Sequence, residues 1–208
     1  MSAEIATPHG PARAHTTEPS TPARGTLVLG HGAGGGIESA DLVAVTDEAA
    51  GAGWRVVRVE QPWRVAGKRI ATAPATLDAG WRAVLEHLRA EEQLTGPLVL
   101  GGRSAGARVA CRTAAEHGAA GVLALAFPLH PPGRPEKSRA AELTAVPVPL
   151  VVVQGETDAF GSPADVASVL AGHPGASVYA VAGDHSLKKN VGLVAAAALS
   201  WLDELTRA

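Results

Sequence analysis

The chain of 208 residues is poor in several residue types that particular classes of protein need. Cys111 is its single cysteine, so an intrachain disulfide or a cysteine-based metal cluster is excluded. Aromatic residues make up only 3% of the sequence, which leaves alanine, valine and leucine to fill the core. No apolar run approaches the roughly 20 residues that a membrane-spanning helix needs. We therefore expect a globular protein without membrane contact.

The sequence also has no large excess of positive or negative charge. The formal net charge is −2, which argues against nucleic acid or an anionic membrane surface as a partner. Residues 1–24 lack a basic start followed by an apolar segment, so we expect no secretory leader and a cytoplasmic location. They are rich in threonine, proline, alanine and histidine without periodicity, which predicts a disordered tail. A single domain would then occupy residues 25–208.

From Gly25 onward, continuous apolar runs alternate with helix-forming stretches. The six predicted strands are Gly25–Gly30, Trp54–Val59, Leu98–Gly101, Ala119–Phe127, Val148–Gln154 and Ala176–Val181. The main predicted helices are Glu38–Ala52, Thr76–Gln93, Ala105–Glu116, Ser162–Ala171 and Leu187–Thr206. Apolar strands separated by helices favour an α/β fold with about six mostly parallel strands and helices on both faces.

The most informative stretch is Gly102-Arg-Ser-Ala-Gly106, which reads G-x-S-x-G between a predicted strand and a predicted helix. A direct strand-to-helix turn strains the backbone of its apex residue, and small neighbours two positions away avoid a clash. The motif predicts a nucleophile elbow, with Ser104 raised above the sheet edge. The alternative is that Ser104 only caps the helix that it begins.

An acid and a histidine also follow predicted strands, where ligands of such sheets bind. Asp158 comes after the fifth strand, and His185 comes after the sixth. A serine made nucleophilic by histidine, with an acid to orient the imidazole, requires these three residue types. Glu156 and Asp184 are rival acids, although Asp184 is adjacent to His185 and poorly placed to reach its ring.

The glycine-rich loop His31–Gly36 follows the first strand. It lacks the lysine and hydroxyl of a phosphate-binding P-loop and the spacing of a dinucleotide fingerprint. An oxyanion loop fits better, with the backbone N–H groups of Ala33 and Ala105 as donors. A simple tight turn is the alternative, and His31 is expected to support the loop by hydrogen bonding.

Together, the glycine-rich loop, the G-x-S-x-G turn, the acid and the late histidine resemble the α/β-hydrolase fold. More narrowly, the chain resembles its KANL3/Tex30-like branch, which is related to dienelactone hydrolases. The narrower resemblance rests on four stretches: residues 30–35, 60–69, the G-x-S-x-G turn and 127–133. It implies a catalytic triad of Ser104, Asp158 and His185. The first two strands of a full eight-stranded hydrolase sheet and a large lid are expected to be missing, which leaves an open pocket.

Two further residues are candidate substrate contacts. His130 lies in a proline-rich segment where the pocket wall is expected, and a purely structural loop is the alternative. Arg103, inside the G-x-S-x-G turn, is expected at the pocket rim or beside a carboxylate. No H-E-x-x-H motif or ligand cluster occurs, so we expect no metal and no cofactor.

The sequence thus predicts a serine hydrolase, esterase-like, that acts on a small acyl substrate as a monomer or small homo-oligomer. An acyltransferase would use the same acyl-enzyme. A hydrolase-like interaction module with a vestigial triad is the alternative from another class, because fold does not determine function.

Overall fold

The computed structural model describes residues 1–207, and it contains one sheet of eight strands. The strands are β1 Ser2–Ile5, β2 Ala12–Thr17, β3 Gly25–Gly30, β4 Trp54–Glu60, β5 Leu98–Arg103, β6 Gly121–Leu125, β7 Leu150–Gly155 and β8 Ala176–Val181. The helices are α1 Ala40–Gly51, α2 Pro62–Val65, α3 Pro74–Ala90, α4 Ala105–Thr113, α5 Ala140–Thr144, α6 Pro163–Leu170 and α7 Val191–Leu205, with a short 3₁₀ turn at Lys188–Asn190.

The strand order is β1-β2-β4-β3-β5-β6-β7-β8. The strands β3 to β8 run parallel to one another, whereas β2 is antiparallel to both of its neighbours, β1 and β4. Parallel strands are buried on both faces, and β3, β6 and β7 are buried along their whole length, as their uninterrupted apolar sequences require.

Helices cover both faces of the sheet and form two hydrophobic cores. The helices α3, α4, α5 and α6 pack on one face, where Trp81 and Phe127 are fully buried. The helices α1 and α7 pack on the other face, where Trp54 is fully buried. The predicted α/β class, with helices on both faces, is confirmed.

The expectation of about six strands is wrong, and so is the expectation that residues 1–24 are a disordered tail. β2 pairs with β4 from Arg13 opposite Glu60 to Thr17 opposite Val56, and β1 extends the sheet beyond β2. Ala12 and Ala14 are buried while Arg13 between them is exposed, which is the alternation of a strand. Alanine carries too little apolar signal for this alternation to stand out in the sequence.

The connection between β6 and β7, residues 126–149, carries the five-residue helix α5 and no lid domain. The expected absence of a large lid is therefore confirmed for the part of the chain that the structure describes. In that same part, no helix is both long and apolar enough to cross a membrane.

Candidate active site

β5 turns directly into α4, and Ser104 is the single residue between them. Its backbone lies at φ 52° and ψ −107°, a conformation that residues with a side chain rarely adopt. Gly106 makes the turn possible, since a Cβ at this position would lie 2.2 Å from Gly30 O on the neighbouring strand β3. The glycines of the motif are thus required by close contact between backbones, and Ser104 is held above the carboxyl end of the sheet.

The structure brings the three predicted triad residues together. Ser104 Oγ lies 3.0 Å from His185 Nε2, and His185 Nδ1 lies 2.8 Å from Asp158 Oδ2. The Asp158 side chain is buried, whereas that of His185 is partly exposed. A carboxylate only accepts hydrogen bonds, so Nδ1 carries the proton and Nε2 is free to accept one from the serine hydroxyl. This arrangement can activate Ser104 as a nucleophile.

Asp158 is held on both of its oxygens. Oδ2 also accepts a hydrogen bond from Gln154 Nε2 at 2.9 Å, and Oδ1 accepts one from Phe160 N at 2.8 Å. Gln154 is fully buried in β7, where its amide also donates to Gly161 O at 2.8 Å. The Phe160 ring stacks on the His185 imidazole with ring centroids 4.1 Å apart. The acid and the base are therefore fixed in orientation by two further side chains.

The rival acids are occupied elsewhere. Glu156 is exposed to solvent. Asp184 Oδ1 accepts hydrogen bonds from the backbone N–H and the hydroxyl of Ser186 at 2.9 and 2.6 Å, and these bonds lower the pKa of Asp184. Asp184 thus closes the turn that carries His185, and Asp158 is the acid within reach of the imidazole.

Close backbone contact brings the acid and the histidine within reach of each other. A Cβ at Gly155, the last residue of β7, would lie 2.5 Å from Asp184 O. The backbone N–H of Thr157 donates to Gly183 O at 2.9 Å. The absence of a side chain at Gly155 therefore lets the loop after β8 lie directly on the turn after β7.

His31 supports the glycine-rich loop through two hydrogen bonds of its ring. Its Nε2 accepts a hydrogen bond from Gln61 N at 3.1 Å, so its Nδ1 carries the proton and donates to Gly32 O at 2.8 Å. His31 is buried, and burial lowers its pKa. The neutral ring thus joins the glycine-rich loop to the end of β4.

The two predicted oxyanion donors lie at the same cavity as Ser104. Ala33 follows Gly32, where an added Cβ would lie 3.4 Å from Ser104 Cβ. Ala105 is the first residue of α4, where backbone N–H groups have no acceptor within the helix and the helix dipole is positive. Both residues line the cavity together with Ser104.

The cavity at Ser104 has a volume of about 740 Å³. The glycine-rich loop, the start of α1, the segment before α3, α4 and the loops after β6, β7 and β8 form its walls. Its charged lining residues are Glu38, Arg103, Arg108, Arg112, Arg139 and Lys188. Arginine is thus the main charged residue type in this wall.

Arg103 lines the cavity, but its guanidinium is held by the protein. Nη2 donates to His185 O at 2.8 Å, and Nε pairs at 3.0 Å with Asp41 Oδ2 in the first turn of α1. Asp41 is fully buried; burial raises its pKa, and Arg103 opposes that rise. Of the two positions expected for Arg103, the structure shows the one beside a carboxylate. The side chain joins the loop after β8, which carries His185, to α1.

The structure does not bring His130 to the cavity. Among the described residues that line the cavity, Pro128 is present and His130 is not. His130 Nδ1 lies 3.0 Å from Pro131 O, and its backbone N–H donates to Phe160 O at 3.0 Å. The loop places His130 where it contacts its own backbone, so the structure gives no support to a contact between His130 and substrate, which stays a prediction.

Gln154 and Phe160 were not identified from the sequence, although each left a signal. Gln154 is the one polar residue in the apolar run Leu150–Gln154, directly before the acid turn. Phe160 is one of only two phenylalanines and follows Asp158 by two positions. The polar side chain at the end of a buried strand and the aromatic residue close to the candidate acid are the two sequence signals that could have indicated residues that hold Asp158 and His185 in place.

Comparison with known proteins agrees with this architecture. The model of the alpha/beta hydrolase domain family matches residues 23–200. No curated protein matches the sequence.

Many solved structures share the fold. An alpha-beta serine hydrolase homologue from Coxiella burnetii is 17% identical, with a TM-score of 0.81 over 96% of each chain. A lidless serine hydrolase from Xanthomonas campestris is 22% identical, with a TM-score of 0.79 over 98% of this chain and 94% of that one. Est1E from Butyrivibrio proteoclasticus with ferulic acid bound is 15% identical, with a TM-score of 0.85 over 99% of this chain and 100% of that one. At these identities the likeness concerns the fold.

Proposed function

The chain belongs to the alpha/beta hydrolase domain family, and from that premise we propose that it is a serine hydrolase that cleaves a small ester or related acyl bond. The observation that carries the proposal is the continuous hydrogen-bonded chain from Ser104 Oγ through the His185 ring to Asp158. Structural neighbours described as serine hydrolases and an esterase support the same reaction class.

In the first half of the reaction, Ser104 Oγ attacks the substrate carbonyl carbon while His185 Nε2 takes the hydroxyl proton. Asp158 keeps the imidazole in the reactive tautomer and stabilises the imidazolium that forms. The N–H groups of Ala33 and Ala105 donate to the carbonyl oxygen as it gains negative charge. His185 then gives the proton to the leaving alcohol, and the acyl group remains as an ester of Ser104.

In the second half, water attacks the acyl-enzyme while His185 Nε2 takes a proton from it. The tetrahedral oxyanion is again held by the same two N–H groups, and the proton returns to Ser104 Oγ as the carboxylic acid leaves. No step needs a cofactor. Since no lid domain covers the cavity, water and small acyl substrates reach Ser104 directly from solvent.

Labelling with a fluorophosphonate probe tests this proposal. The parent protein should take up one probe per chain, and Ser104→Ala should take up none. Ser39 is the matched control, because it lines the same cavity but donates its hydroxyl to Gly36 O instead of a histidine. Ser39→Ala should still be labelled at one probe per chain. A folded parent protein without labelling would favour an interaction module with a vestigial triad.

The open cavity further supports small, soluble substrates over long-chain lipids. Hydrolysis of a series of 4-nitrophenyl esters should be fastest for short acyl chains and decline as the chain lengthens. Faster turnover of long-chain esters than of the acetate would contradict this part of the proposal.

Within the family, we place the chain in the KANL3/Tex30-like, dienelactone-hydrolase-related branch. Support comes from the sequence motifs at residues 30–35, 60–69 and 127–133 beside the G-x-S-x-G turn. The nucleophile elbow of that fold corresponds to the turn at Ser104, with its positive φ. A cytoplasmic location is part of the same proposal, and fractionation of cells that express the protein tests it.

A further inference from the structure

Four of the six charged residues that line the cavity, Glu38, Arg103, Arg108 and Arg112, are paired with a residue of opposite charge. Arg108 forms a two-pronged pair with Glu142, with nitrogen–oxygen distances of 2.6 and 2.8 Å. Arg112 forms a similar pair with Asp78 at 2.6 and 2.9 Å, and it reaches Glu142 at 3.1 Å. Two arginines and two carboxylates therefore form a closed network that carries no net charge.

Arg139 is the exception among the arginines of the wall. Its Nη1 donates to Pro128 O at 2.8 Å, and no described residue places a carboxylate within ion-pairing distance of it. Nor does a described residue accept a hydrogen bond from its Nε or Nη2. The side chain is partly buried; burial and the neighbouring Arg108 lower its pKa, and the more distant Glu142 carboxylate opposes that shift. A partly buried cation is expected to have an anionic partner.

Lys188, which also lines the cavity and pairs with no acid among the described residues, is exposed and is therefore hydrated by solvent. Glu38, which is also exposed, lies 3.4 Å from Arg58. Arg103 is paired with Asp41. An anion that enters the cavity is thus attracted chiefly to Arg139.

We propose that Arg139 binds a carboxylate carried by the acyl substrate, so that the preferred substrates are half-esters of dicarboxylic acids. This inference rests on the proposed function of Ser104. One planar guanidinium whose Nε–Nη2 edge is available matches one carboxylate in charge and in shape. A phosphate group, with its larger charge, would leave part of that charge without a partner. Substrate would lie between Ser104 and Arg139, which line the same cavity.

The substrates for the test are mono-4-nitrophenyl esters of adipic, pimelic and suberic acid, each compared with its neutral methyl ester. The parent should hydrolyse the anionic member of at least one pair with the higher kcat/KM, since a hydrogen-bonded charge pair contributes a factor of roughly 10 to 100. The preference should decline as salt is added, because salt screens the pair.

Arg139→Met should remove the preference, lowering kcat/KM for the anionic ester by roughly 10- to 100-fold more than for the neutral ester. Arg134→Met is the matched control, because Arg134 is exposed on the same loop and does not line the cavity. It should keep the parental preference. Arg139→Lys retains a cation and should show an intermediate ratio, which supplies a second measurement if Arg139→Met does not fold.

Two results would overturn the inference while the proposed function stands. One is a parent that hydrolyses the neutral esters and shows no preference for any anionic partner. The other is a preference that Arg139→Met and Arg134→Met reduce equally. A parent that hydrolyses neither ester and takes up no fluorophosphonate would instead contradict the proposed function, and the inference with it.

Discussion

Two sides of one cavity use charged and polar side chains in different ways. On the strand side, Asp158, His185 and Ser104 form a chain in which each group bonds to the next, and Gln154 and Phe160 hold its buried end. On the helix side, Arg108 and Arg112 of α4 form ion pairs with acids of α3 and α5, while Arg139 has no carboxylate partner among the described residues. In our two proposals, the first side moves a proton and the second selects a substrate.

The largest expected effect is the loss of kcat on removing the carboxylate of Asp158, on the strand side of the cavity. Asp158→Asn removes the carboxylate that fixes the tautomer of His185, so kcat should fall on the order of 10⁴-fold for anionic and neutral esters alike. Steady-state kinetics on both esters measures it. Glu156→Gln is the control, because Glu156 is exposed on the same turn, and it should retain near-parental kcat. A large loss in Glu156→Gln with little loss in Asp158→Asn would reverse the assignment of the acid.

The second prediction concerns Arg103, which could either position His185 or contact the substrate. Arg103 lines the cavity, yet its bonds are to His185 O and Asp41. We expect Arg103→Met to lower kcat/KM by roughly 10- to 100-fold, equally for anionic and neutral esters, because a charged hydrogen bond that positions His185 is lost. Added guanidinium ion should restore part of the activity for both esters.

Arg103→Met would leave the buried carboxylate of Asp41 without its partner, and a control must separate the resulting loss of stability from the loss of activity. An unpaired buried charge destabilises a fold by about 3–5 kcal/mol, so the double variant Arg103→Met/Asp41→Asn should recover stability without recovering activity. A loss confined to the anionic ester would instead place Arg103 with Arg139 as a substrate contact.

The smallest effect concerns the support of the glycine-rich loop. Burial lowers the pKa of His31 below its ordinary value of 6.5, so the unfolded chain binds more protons there than the folded one as pH falls. The free energy of unfolding should therefore decrease below pH 6.5, with the share from His31 no steeper than about 1.4 kcal/mol per pH unit, the limit for one proton.

Denaturant unfolding at several pH values measures this slope. His31→Gln should show a flatter decline than the parent, whereas His9→Gln, at an exposed position, should follow the parent curve. Identical slopes in all three proteins would show that the neutral ring of His31 is not the group responsible.

The strand side was predictable from the sequence because parallel strands end at a common edge. Ser104, Asp158 and His185 each follow an apolar run, and topology alone brings them close. The helix side was not predictable, since the neighbours of Arg139 and the pairing of Arg112 with Asp78 depend on how helices pack. The position of His130 away from the cavity lining was not predictable for the same reason. The strands β1 and β2 were missed because alanine buries too little area to mark a strand.

The position of β2 in the sheet also has a consequence for the order in which the chain acquires structure. β2 lies near the amino end, yet its hydrogen-bonding partner is β4, whose residues leave the ribosome only after β3 and α1 have been made. A two-stranded ribbon such as β1–β2 has marginal stability by itself. We therefore expect the β1–β2 ribbon to acquire its structure late, when β4 has been made and has paired with β3, because β4 is the strand that joins the ribbon to the parallel sheet.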